Sequence, residues 1–195
     1  FLIDNILRLY MKYVKPLFIF IVALLIMLAT QSIAYMSTIN YIVQIVLFGL
    51  VVCWPIWKTG RLSYVDIAWP WGLVCIGILT FIFSDGYYLR VRIIVGVYLF
   101  IGLRMGLGAL QLWRKGHMEK EFPRYQYQRG RWKRAGKTNT FLAMQVDALA
   151  QGLANASFLA LPAFIIGSNQ NTTFSIFEII GLIIWISAFI IETIA

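Results

Sequence analysis

The sequence predicts an all-α, polytopic bundle of about six membrane-spanning helices, and three observations carry that prediction. First, 61% of the 195 residues are hydrophobic and 13% are charged, against about 45–50% and about 25% in soluble domains, so a water-soluble globule is excluded. Second, six apolar runs approach the ~20 residues a helix needs to cross a bilayer: Leu17–Met36, Tyr41–Trp57, Ile67–Phe83, Val91–Trp113, Phe141–Ile166 and Phe174–Ala195. Third, Arg8, Lys12 and Lys15 precede the first run, Lys58 and Arg61 follow the second, and nine basic residues lie between Arg114 and Lys137. The alternate side holds only Arg90 and Arg92. This asymmetry obeys the positive-inside rule and places both chain ends in the cytoplasm.

Residues 1–16 form the first element. Asp4, Arg8, Lys12 and Lys15 recur every third or fourth position among Phe1, Leu2, Ile3, Ile6 and Leu7, which predicts an amphipathic helix at the inner interface. Residues 17–195 then form the bundle. Its outer connections, around Ser32–Asn40 and Gly167–Thr173, carry no Lys or Arg. Ile67–Phe83 is short and can extend toward Asp66, and Phe141–Ile166 is long enough to tilt or to break near Pro162. A basic cytoplasmic loop occupies 114–139. Trp54, Trp57, Trp69, Trp71 and Trp113 stand near span ends and read as interfacial anchors. Gly102 and Gly106, like Gly152 and Ala156, are spaced four apart as in close helix packing.

Several function classes drop out. Cys53 and Cys75 lie inside apolar runs, so there is no disulfide framework, and two Cys with one His cannot build the usual zinc site; no metal is expected. A net charge of +9 would suggest nucleic acid in a soluble protein, but membrane topology already accounts for it. No Gly-x-Ser-x-Gly elbow or Cys-His pair supports acyl transfer. The glycines around Arg104 have no preceding strand, which a dinucleotide fingerprint requires. His117 reads as solvated.

Ionisable residues inside spans are costly and mark sites. Arg104 lies nine residues before Trp113, ~13 Å from the inner end at the helical rise, too deep for easy snorkelling. Asp147 lies ~9 Å beyond Phe141, and Asp147, Gln151 and Asn155 share a face. Asp66 sits at the inner mouth of the third span and Glu192 near the inner end of the last. These residues predict a cavity open to the cytoplasm, in which an anionic cofactor could meet Arg104. The bland reading is a buried Arg104–Asp147 pair that only fixes packing.

Five motifs run in series: Ser63-Tyr64-Val65-Asp66-Ile67-Ala68-Trp69, Gly102-Leu103-Arg104, Glu121-Phe122-Pro123-Arg124-Tyr125 with Trp132, Gln151-Gly152-Leu153 before Pro162, and Ile191-Glu192-Thr193-Ile194-Ala195. In order and spacing, from Ser63 to the end, the chain resembles the bacterial membrane proteins related to steroid 5α-reductases. The resemblance implies a bacterial inner-membrane oxidoreductase that uses NADPH to reduce a carbon–carbon double bond conjugated to a carbonyl in a lipophilic small molecule. It implies that Asp66 faces the carbonyl in protonated form, that Arg104 and Gln151 face the cofactor, and that Glu192 contacts its nucleotide end.

Two departures stand out. Ile101 replaces a tyrosine found three residues before the arginine, so a second oxygen-polarising group is absent or supplied elsewhere. The family's His-Pro-x-Tyr-like cofactor segment would begin beyond Ala195, so the chain is expected to be a truncated form that holds NADPH poorly. Two alternatives stay open: an isoprenylcysteine methyltransferase-like enzyme, and a non-catalytic membrane subunit whose basic loop contacts anionic lipid.

Overall fold

The computed structural model describes residues 15–137 and 139–194. The amphipathic helix expected over 1–16 therefore lies outside the described residues except for Lys15–Leu17, a single 3-10 turn. Among the described residues every regular element is helical: α1 (Phe18–Ala29), α2 (Gln31–Phe48), α3 (Trp54–Thr59), α4 (Val65–Phe83), α5 (Tyr88–Arg114), α6 (Pro123–Arg134), α7 (Thr140–Ala156), α8 (Ala160–Gly167) and α9 (Ile176–Ile194). A π-helical stretch, Gly49–Cys53, joins α2 to α3 without a break. Five helical stretches are long and apolar enough to cross a membrane: Gln31–Thr59, Val65–Phe83, Tyr88–Arg114, Thr140–Gly167 and Ile176–Ile194.

The first two expected spans need correction. Leu17–Met36 is not one helix: the backbone turns extended at Thr30 (ψ 103°), and α1, with 12 residues, reaches only ~18 Å. Ser32–Asn40, expected as a connection, is helical. Its polar residues suggested a loop, but they point into protein. Ser37, Asn40 and Gln44 are buried; Asn40 donates to the Ala156 carbonyl, and Gln44 donates to Asn40 and to the Gly72 carbonyl.

That polar cluster has a structural job. Away from water, each backbone carbonyl freed by an irregular helix must find a protein donor. Pro70 lies inside the unbroken helix α4, where its missing N–H leaves the Asp66 carbonyl without a helical donor; nearby, Asn155 adds a donor to the Trp69 carbonyl and Gln44 one to that of Gly72, each at 3.0 Å. The long fifth span breaks between Ala156 and Ala160, just ahead of Pro162, which falls in the first turn of α8 where its missing N–H costs nothing. Asn40 and the Tyr98 hydroxyl donate to the carbonyls of Ala156 and Leu159 at that break.

α4 is the central helix: 61% of its span is buried, against 0% for α9. Its closest neighbour is α5. A Cβ on Gly102 would meet Val74 Cγ2 at 2.7 Å and the Pro70 carbonyl at 2.8 Å, so this glycine lets the two backbones touch, as its spacing from Gly106 suggested. Gly152 packs in the same way against Phe48, and Ala156 is buried. Trp54, Trp57 and Trp113 are exposed, as anchors should be. Trp69 and Trp71 are not surface anchors: Trp69 packs against the core and Trp71 lies over Gly106.

Candidate functional site

The site is built at the basic end of the bundle, where Lys58, Arg61 and the segment from Arg114 to Lys137 come together. Glu121 organises it. Its carboxylate accepts from the backbone N–H of Leu62 at 2.9 Å and of Ser63 at 3.0 Å, accepts from the Ser63 hydroxyl, and pairs with Arg129. Ser63 Oγ in turn accepts from the Phe122 N–H. The donors of an incipient helix are otherwise unpaired, so Glu121 ties the start of α4 to the chain just before α6. Asp66, in the first turn of α4, is thereby fixed in direction.

α6 begins at Pro123 in its favoured first-turn position and lays Tyr125 and Trp132, seven residues apart, on one buried face. Both rings join the core cluster with Leu62, Val65, Met144 and Ala148. This docking brings Arg124 and Tyr125 over Asp66. The Tyr125 hydroxyl donates to Asp66 Oδ1 at 2.6 Å, and the Arg124 guanidinium pairs with the same oxygen. Tyr125 is 8% exposed. Burial, and then the neighbouring Asp66 charge, push its phenol well above the ordinary tyrosine range.

Above this pair opens a cleft of about 740 Å³ lined by residues of five helices, among them Asp66, Arg104, Tyr125, Gln151 and Glu192. The four residues singled out from the sequence thus share one wall system. Arg104 Nη1 meets Glu192 Oε2 at 2.9 Å, and its guanidinium lies 4.8 Å from the Phe189 ring centre. Gln151 donates to Asp147 at 3.0 Å.

Asp147 itself corrects the expectation. It does not pair with Arg104 and does not line the cleft; it faces a separate cavity of about 340 Å³ with Gln128, Arg131, Trp132 and Lys137. The reason is that α6 packs across the start of α7, with Trp132 against Ala143, Met144 and Ala148, and so covers Asp147. Gln151, one turn further on, emerges beyond it. Ile101 contributes no polar atom and lines a neighbouring cavity of about 290 Å³ with Arg104, Phe189 and Glu192.

In the sequence Arg124 and Tyr125 stood out only as part of a motif, with no role of their own, because membrane topology already accounted for the basic composition of 114–139. The usable signal was the seven-residue spacing of Tyr125 and Trp132 behind Pro123. His117 is exposed, as expected. Among the described residues no cluster of His, Cys, Asp and Glu could hold a metal ion. An apolar cavity of about 670 Å³ lies at the opposite end between α5 and α9, and its charged groups, Arg90 and Glu178, already satisfy each other. The cleft at the basic end is where an unsaturated cation, an amide and a carboxylate–phenol pair meet.

Comparison with known proteins adds one result. A family model described as a protein of unknown function (DUF1295) matches residues 54–195, and the chain belongs to that family. No curated protein and no solved structure matches.

Proposed function

We propose, taking membership of that family as the premise, that the protein is an integral membrane oxidoreductase that reduces a conjugated carbon–carbon double bond of a lipophilic substrate with NADPH. One observation carries the reading: Asp66, Arg104, Gln151 and Glu192, dispersed over four helices, line a single cleft. By the positive-inside rule the basic end that bears the cleft faces the cytoplasm, where the cofactor is found.

The residues present fit a nucleotide cofactor in part. Arg104 has a single carboxylate partner and a side chain that is 38% exposed, so it can exchange Glu192 for a phosphate oxygen, the anion a guanidinium holds best. Gln151 offers an amide on the same wall. When bound, NADPH supplies a hydride. The chain's own contribution is to hold the nucleotide through Arg104 and to present a polar group from the Asp66 side to the substrate oxygen.

The test is NADPH binding by the purified full-length protein in nanodiscs, followed by tryptophan quenching. The parent should bind NADPH and lose about tenfold or more in affinity on Arg104→Ala, as expected for a charge-assisted contact. Equal affinity in the two proteins removes Arg104 from the site. Binding of S-adenosylmethionine in place of NADPH transfers the cleft to methyl transfer.

A further inference from the structure

We propose that Tyr125 is the group that polarises the substrate oxygen in the cleft, with Asp66 and Arg124 as its positioning residues; this rests on the reductase reading above. Hydride addition at the β-carbon of an enone moves the double-bond electron pair toward the carbonyl and leaves an enolate. The nicotinamide is oxidised, the enone is reduced, and a proton from water completes the product at the α-carbon. The barrier falls when a donor already stands where the oxygen gathers charge.

The cleft wall narrows the choice of donor. Asp66 Oδ1 faces outward as an acceptor, engaged by both the Tyr125 hydroxyl and the Arg124 guanidinium. Gln151 has its amide nitrogen on Asp147, and Arg104 stands against Glu192. Arg124 is paired with Asp66, and its side chain is 62% exposed at the rim. Tyr125 is different: its ring is buried in the core cluster, and its oxygen is held 2.6 Å from Asp66 on the cleft wall.

The hydroxyl can turn about its C–O bond from Asp66 to an incoming carbonyl without moving any heavy atom. Asp66 remains compensated meanwhile, because Arg124 stays on it. A phenol kept in its neutral form by burial is suited to this, since it donates a hydrogen bond and keeps its proton. Such a donor is preorganised in the sense that matters for rate: only one torsion changes on binding.

The experiment uses the purified full-length protein with NADPH and a 3-decylcyclohex-2-enone carrying a ¹³C carbonyl. Infrared spectroscopy reads the carbonyl stretch of the bound enone in the presence of NADP⁺, and NADPH consumption reads turnover. The parent should lower the stretch relative to the enone in empty nanodiscs. Tyr125→Phe should abolish that shift and lower kcat about 10²-fold, the loss typical of one oxyanion donor, with KM for the enone within about threefold. Asp66→Asn, which keeps an acceptor oxygen for the hydroxyl, should retain most of the shift. A Tyr125→Phe protein with the parental stretch and turnover overturns the assignment and leaves the reductase reading standing. Loss of the shift in Asp66→Asn but not in Tyr125→Phe gives the donor role to Asp66 and also overturns it. A parent that neither shifts the stretch nor consumes NADPH with the enone removes the reductase reading, and this assignment with it.

Discussion

Two arginines on α5 meet two glutamates on α9, and the contrast between the pairs separates structure from function. Arg90 pairs with Glu178 and Arg104 with Glu192, so fourteen residues, about four helical turns, separate the pairs on both helices. The two ends are chemically unlike. Arg90 is 2% exposed and engages four of its five donors: it reaches both Glu178 oxygens, at 2.7 and 3.0 Å, and the carbonyls of Asn171 and Thr173, and it lies over the Phe174 ring. Arg104 has one carboxylate oxygen and a ring, and it borders an open cleft. A buried guanidinium with nearly all its donors engaged can hold a helix but cannot recruit a ligand. One with donors to spare, beside a cavity, can.

That contrast can be broken or sharpened by substitution. Arg90→Ala should have the largest effect, a loss of about 3 kcal/mol because Glu178 and two carbonyls lose their shared donor, read as a lower midpoint in denaturant unfolding of the reconstituted protein. Arg104→Ala should change that midpoint by less than about 1 kcal/mol, since its pair is exposed, while weakening NADPH binding; a stability loss equal to that of Arg90→Ala would make both pairs structural. Gly102→Ala should cost about 1–3 kcal/mol, because the added carbon meets Pro70 backbone that cannot give way, and the same unfolding assay reads it. The smallest effect is on pH dependence. The Tyr125 phenol is raised in the fold, so the unfolded chain ionises first: stability is full below about pH 10 and declines as pH rises beyond it. Unfolding midpoints measured from pH 8 to 11 should show this decline in the parent and less of it in Tyr125→Phe.

Legibility differed from one residue to the next for physical reasons. Arg104, Asp66 and Glu192 could be found because a charge inside an apolar run is conspicuous at any register. Asp147 was conspicuous in the same way and yet belongs to another cavity, because what covers a helix face is decided by a segment elsewhere, here α6 with Trp132. Ser37 and Asn40 misled in the opposite direction: they fell in a stretch expected as a connection, and only burial, with the Ala156 carbonyl as partner of Asn40, reveals that they face protein. The pair Arg124 and Tyr125 belonged to a motif, but its role lay hidden in a stretch whose charge was already explained by topology.

By itself the sequence determined that this is a helical membrane protein with one basic end and charge set deep in several spans. Both follow from the cost of removing peptide and charged groups from water, which acts on composition and can be read residue by residue. Which of those charges are saturated and which remain available was settled only by tertiary structure. Saturation depends on donors and acceptors 59 to 88 residues away, such as Tyr125 for Asp66 and Glu192 for Arg104, and no local pattern encodes such partners.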